Sequence, residues 1–216
     1  SIIQKQYPIA EFGVLTSYHW YENGNRYLDP YIIDTRLRGD FKKLALHICG
    51  SAAHDAAYGD WNMIEKLVWG NLGMFGRIQL NIAGRKDNPP YVAHPKTVGT
   101  KVIIQQRNAA EIRLFKDTLD YHNDYDYRYG YQPFEVLLDA SGGRGINTSI
   151  EILKNSYNLT VGYAGGINPD NVAEKLTYLL KNEQVGDFWI DMESGVRTDD
   201  WFDLDKVRRV LEICQP

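Results

Sequence analysis

The chain has 216 residues, 44% of them hydrophobic and 24% charged, with a formal net charge of −4. That is the composition of a globular chain whose core needs neither disulfides nor a structural metal. The mild acidity argues against a basic nucleic-acid-binding face.

No apolar run reaches the roughly 18 residues of a membrane span, and Ser1 to Ala10 do not read as a signal peptide. The two cysteines, Cys49 and Cys214, make no disulfide framework. The expected setting is therefore a reducing cytoplasm. No Pro-, Gly- or Ser-rich linker divides the sequence, so residues 1–216 read as a single domain.

In chain order, short apolar runs occur at Phe12–Leu15, Leu44–Ile48, Ile78–Leu80, Val102–Ile104, Val136–Leu138, Leu159–Tyr163 and Phe188–Ile190. Several are continuous rather than alternating, as strands buried on both faces are. The stretches between them carry helical stripes: Ile64, Leu67 and Val68; Ala110, Leu114 and Phe115; Val172, Leu176, Leu179 and Leu180; and Leu204, Val207, Val210 and Leu211. Asn168-Pro169 predicts the start of the third of these helices. Asp203 and Asp205 open the fourth, with Arg208 and Arg209 further along, an order that suits the helix dipole. Alternating βα units predict a parallel sheet, wound either as an open sheet or as a (β/α) barrel. The first strand leads into Thr16-Ser17-Tyr18-His19 without a dinucleotide fingerprint. Glycine-rich turns follow the last three strands instead, as in a barrel with phosphate-binding late loops. Tyr121 to Tyr131, with five tyrosines, reads as a surface loop or an oligomer contact.

Three motifs carry the chemistry. In Tyr163–Val172 a strand ends at Gly165-Gly166, just before a helix. Glycines let the backbone approach a ligand, and N–H groups at a helix start attract an anion. In Ile190–Val196 a second strand ends toward Ser194-Gly195, so the two strand ends predict a phosphate cup. In Val136–Gly145 an apolar strand closes on Asp139. That carboxyl is either a general acid at the mouth or a buried structural group bonded to a loop amide. Position alone leaves both open.

These motifs, in this order, resemble those of phosphoribosylanthranilate isomerase, a (β/α)8-barrel family. The resemblance rests on Leu137-Leu138-Asp139, Gly142-Gly143-Arg144-Gly145, Gly165-Gly166-Ile167-Asn168-Pro169-Asp170-Asn171-Val172 and Asp191-Met192-Glu193-Ser194-Gly195-Val196. It implies a TIM-type (β/α) barrel and an Amadori-type rearrangement of a phosphorylated aminosugar. By resemblance, Asp139 takes the acid role. Gly165, Gly166, Ser194 and Gly195 take the phosphate role, while Gly143 and Asp191 belong to the substrate loops. Fainter likeness upstream sets Phe12-Gly13-Val14-Leu15 and Asn25–Pro30 against the family's second strand and its following segment, which makes Arg26 the substrate-anion contact. Ile78–Ile82 resembles the family's fourth strand, with Asn81 where the family has histidine.

The departures matter too. The family's basic cysteine lies on its first strand, and Ser1 to Ala10 are too short for a strand and crossover helix. The first βα unit is therefore expected to be missing, and the barrel to be closed by the N-terminal arm, by side chains or by a partner subunit in a homo-oligomer. The similar text His47-Ile48-Cys49-Gly50 offers Cys49 as a displaced base or as a small buried hydrophobe. Glu193 stands where the family has serine, and would repel a phosphate unless it points away. His47, Cys49, His54 and Asp55 match no zinc spacing. The Asn-x-Ser/Thr sequons at Asn147 and Asn158 read as unused in a cytosolic chain.

The expected function is an isomerase-like enzyme binding a phosphorylated sugar or sugar-amine. A different lyase or epimerase reaction in the same cup, or a non-catalytic phosphate-ligand binder, stands as the alternative. No cofactor, metal, nucleic acid or membrane is expected.

Overall fold

A computed structural model describes residues 1–17, 27–33, 41, 43–68, 72–82, 100–108, 135–142, 144–150, 160–182 and 187–215. The chain divides into two compact units. One comprises Ser1–Ile104 with Asp117–Phe134, the other Gln105–Lys116 with Glu135–Pro216.

The first unit begins with a helix, α1 (Ile2–Gln6), followed by β1 (Phe12–Thr16) and the short α2 (Pro30–Ile32). Next come β2 (Leu44–Ile48), α3 (Ser51–Ala57), α4 (Asn62–Leu67), a 3-10 turn at Leu72–Met74 and β3 (Arg77–Leu80). The last strand, β4 (Lys101–Gln106), gives its final two residues to the second unit. These strands pair parallel and in sequential order, with Val14 level with Leu46, Leu46 with Ile78 and Ile78 with Val102.

The predicted arm is a folded element. Ile3 and Tyr7 are buried, and Gln4 Nε2 donates to Ala10 O at 3.2 Å and to Lys43 O at 2.8 Å. Along β2, Leu44, Leu46 and Ile48 are buried while Ala45 and His47 are half-buried. That alternation divides the strand into a core face and a second, polar-bearing face. Helix α3 buries Ala52, Ala53, Ala56 and Ala57, whose small side chains let it lie close to the sheet. The predicted stripe of Ile64, Leu67 and Val68 is buried, and each such side chain contributes roughly 1.5–3 kcal/mol of burial free energy. Arg77 and Glu11 pair at the start of β3, with Arg77 Nε donating to Glu11 Oε2 at 2.6 Å.

The second unit contains β5 (Glu135–Asp139), β6 (Val161–Ala164), α5 (Val172–Leu180), β7 (Phe188–Ile190), a 3-10 turn at Ser194–Val196 and α6 (Leu204–Cys214). Strands β5, β6 and β7 are parallel, with Leu137 level with Gly162 and Gly162 with Trp189. Gly162 leaves room for a neighbour: a Cβ there would collide with the Trp189 ring and sit 2.8 Å from Leu137 Cδ1.

Two features differ from the sequence reading. Helix α5 begins at Val172, with Asn171 as its N-cap, rather than at Asn168. Asn168 instead caps the turn before it. Its Oδ1 accepts from Asp170 N at 2.8 Å and Asn171 N at 3.2 Å, and its carbonyl accepts from Val172 N at 3.0 Å. An antiparallel pair, β8 (Arg197–Thr198) with β9 (Trp201–Phe202), precedes α6. Asp199 and Asp200, at φ 51° and 63°, form its two-residue turn, the left-handed conformation that short hairpins demand.

Asp203, expected only to lie near the start of α6, is its N-cap, accepting from Asp205 N at 3.0 Å and Lys206 N at 3.1 Å. Val207 and Val210 are buried, whereas Leu204 is exposed, as is Leu180 on α5. The tyrosine-rich segment, the stripe of Ala110, Leu114 and Phe115, and the start of the Leu159–Tyr163 run lie outside the described residues. Among the described residues no helix is long and apolar enough to cross a membrane.

Candidate active site

In the second unit, the loops after β5, β6 and β7 converge. The glycines record how closely. A Cβ at Gly145 would strike the Ser194 side chain, joining the β5 loop to the β7 loop. One at Gly195 would strike the Ile167 carbonyl, joining the β7 loop to the β6 loop. One at Gly166 would fall 2.6 Å from both Asn147 Cα and Ile146 C, so the β5 loop runs directly against the glycine pair. Gly165 and Gly166 have φ of 114° and 66°, conformations that a side chain disfavours. Among the described residues, neither of their N–H groups donates a hydrogen bond. Lys175 of α5 pins the arrangement, with Nζ donating to Thr148 O at 2.8 Å. Its partial burial pushes its pKa below the ordinary lysine value.

Asp139 closes β5 and is buried. Its Oδ2 accepts from Gln105 Nε2 at 2.7 Å. Its Oδ1 accepts from Ser141 N at 3.0 Å and lies 2.6 Å from Ser141 Oγ. Ser141 Oγ in turn accepts from Gly145 N at 3.2 Å, which ties the carboxylate to the glycine loop. Asp139 Oδ1 also lies 3.9 Å from where a Gly165 Cβ would sit. The carboxyl therefore adjoins the glycine pair, and it also makes the loop-amide bond that a structural role requires. Asp191 follows β7 half-buried, and its N–H donates to Tyr163 O at 2.9 Å.

Glu193 turns toward Arg197, with Oε1 4.0 Å from Nε. Its charge is thus offset by a neighbouring cation rather than left beside Ser194 unopposed.

Gln105 and Ser141 were not singled out from the sequence. The signal for Gln105 is of the same kind that marks Asp139: a polar residue closing an apolar run, here Val102-Ile103-Ile104-Gln105-Gln106. For Ser141 it is the spacing Asp-x-Ser, which permits the side-chain-to-backbone turn seen here.

In the first unit, Cys49 and Asn81 lie just past the ends of β2 and β3. Cys49 Sγ is 3.6 Å from His47 Nε2 and accepts from Asn81 Nδ2 at 3.9 Å. Gln79 Nε2 sits 3.1 Å from His47 Nε2. His54 instead contacts Asp55, 3.5 Å away. Among the described residues, no group of three or more His, Cys, Asp or Glu side chains is placed to hold a metal ion. Arg26 and Gly143 lie outside the described residues.

The model of one family, "N-(5'phosphoribosyl)anthranilate (PRA) isomerase", matches residues 100–213, over half of the chain. The fold is similar to a solved structure, that of N-(5'-phosphoribosyl)anthranilate isomerase from Pyrococcus furiosus. The TM-score is 0.50 at 16% sequence identity, covering 95% of this chain and 97% of that one. No curated protein matches the chain. The structural likeness extends well upstream of the matched stretch and bears out the expected α/β, TIM-type fold.

Proposed function

The chain belongs to the N-(5'phosphoribosyl)anthranilate isomerase family, and from that premise we propose that it binds a phosphorylated sugar or sugar-amine and isomerises it by acid–base chemistry. In this reading, the N–H groups of Gly165 and Gly166, with Ser194 and Gly195, receive the phosphate. Such preorganised amides bind an anion without help from the chain's negative net charge. Asp139 protonates the ring oxygen to open the sugar. Cys49 takes the proton from the carbon bearing the 2-hydroxyl. Arg26, Asn81, Gly143 and Asp191 contact the rest of the substrate. A cytoplasmic setting suits the reading.

The observation that carries the proposal is the meeting of Asp139 with the glycine pair, 3.9 Å from the Gly165 Cβ position, inside the stretch that the family model matches. A proton donor and an anion cup so close suit a substrate that carries both a phosphate and a ring oxygen.

One observation favours a second reading, a non-catalytic phosphate-ligand binder. The Asp139 carboxylate is already engaged by Gln105 and Ser141. Conversion of phosphoribosylanthranilate, followed by its fluorescence, separates the two. Turnover that Asp139→Asn abolishes supports the isomerase. Phosphate-dependent thermal stabilisation without turnover supports the binder. Absence of both sinks the phosphate cup itself.

A further inference from the structure

We propose that His47 is the proton partner of Cys49 and readies its thiol to act as a base. His47 acts through Cys49 and is a positioning residue; the inference rests on the reading of Cys49 as the base. Residues two apart along a strand point to the same face, so His47 on β2 and Cys49 just beyond it share one. The parallel register sets Gln79 level with His47, and Asn81, two residues on, falls beside Cys49. The outcome is a polar cluster of four: His47 Nε2 lies 3.6 Å from the sulfur, Asn81 Nδ2 3.9 Å from it, and Gln79 Nε2 3.1 Å from the imidazole nitrogen.

The step needs no co-reactant. The S–H bond breaks, its electron pair stays on sulfur, and the proton forms an N–H bond at His47 Nε2. Each neighbour favours that transfer. The Asn81 amide donates to sulfur, which stabilises the thiolate. The Gln79 amide lies 3.1 Å from the same nitrogen, and with its oxygen turned inward it accepts from the new N–H; the two ends of an amide have nearly the same shape. The residue level with His47 is Leu15 on β1 and Gln79 on β3, neither of which titrates. The titratable groups of the following helix α3, His54 and Asp55, lie against each other at 3.5 Å. A cysteine paired with a nearby base in this way is the usual arrangement for an activated thiol.

The test is the rate of Cys49 alkylation by iodoacetamide between about pH 5 and pH 10, in the full chain carrying Cys214→Ser. Cys214 is the less reactive thiol, its pKa raised by burial. His47→Ala is expected to slow alkylation at neutral pH about tenfold and to move the midpoint into the ordinary thiol range. His47→Gln, which keeps a polar side chain of similar size but cannot take the proton, is expected to be equally slow. If His47→Gln alkylates with the parental rate and midpoint, the pairing is overturned, and this variant decides the matter should His47→Ala fail to fold. Isomerisation by Cys49→Ser is measured in parallel. A chain that does not isomerise but shows His47-dependent alkylation loses the base reading and keeps the pair. One that isomerises through Cys49, with alkylation indifferent to His47, keeps the base reading and loses the pair.

Discussion

Replacing Gly166 by alanine tests the convergence of the three loops directly. Two costs are separable. At φ 66° the new side chain pays the left-handed backbone penalty, about 1–2 kcal/mol. The Cβ would also lie 2.6 Å from Asn147 Cα and from Ile146 C, and closer still to Asn147 N. Those neighbours are backbone atoms, so the β5 loop itself must move, at about 1–3 kcal/mol. The expected destabilisation is therefore about 2–5 kcal/mol. Gly142 supplies the control. Its φ is 61°, but among the described residues a Cβ there meets only the Arg107 side chain, at an ordinary 3.4 Å. Gly142→Ala should cost only the backbone part, about 1–2 kcal/mol. Urea unfolding of both variants gives the comparison. If Gly166→Ala is no more destabilising than Gly142→Ala, the loop does not run against the glycine pair and the account of the cup fails.

Three further outcomes are expected. Asp139→Ala removes the acceptor for Gln105 Nε2 and Ser141 N, and should cost about 2–4 kcal/mol in urea unfolding; a loss under about 0.5 kcal/mol would mean that these bonds do not anchor the loop. Glu193→Ser removes a carboxylate beside Ser194 and releases Arg197 from it, so inorganic phosphate should bind about two- to fivefold more tightly, an effect that shrinks with added salt; weaker binding would show that Glu193 supports the cup rather than opposing it. The pKa of Asp203 is lowered first by the Thr198 hydroxyl and then by the Lys206 N–H. Its contribution is therefore fully present above the ordinary carboxylate value and is lost as pH falls through the lowered one. Asp203→Asn should melt below the parent at neutral pH, and the gap should close on acidification toward about pH 3; a gap independent of pH would rule out the charge as its origin.

Much of the fold was legible because parallel strands buried on both faces are written as apolar runs. Seven such runs coincide with β1 to β7. The glycines of the late loops were legible for a related reason: positions that exclude a Cβ admit few other residues, and Gly145, Gly166 and Gly195 are of that kind. The charge order of the last helix was legible too, with Asp203 and Asp205 at its start, although the capping bonds of Asp203 came from the structure. Arg26 and Gly143 rest on the sequence still.

What local pattern could not determine was which side chains meet. The bond from Gln105 to Asp139 spans 34 residues of chain. The bond between Gln79 and His47 spans 32 and depends on the register of β2 against β3. The N-cap of α5 moved three residues, from Asn168 to Asn171, because Asn168 used its oxygen to close a turn, a choice made by competing caps rather than by periodicity. Glu193 read as a repulsive charge in the cup, and Arg197, four residues on, turned it into half of an ion pair. Periodicity reports which face of an element is buried, whereas register, loop closure and side-chain direction come from the three-dimensional packing. The elements and their glycines were therefore settled by the sequence, and the partners of Asp139, Cys49 and Glu193 by the tertiary structure.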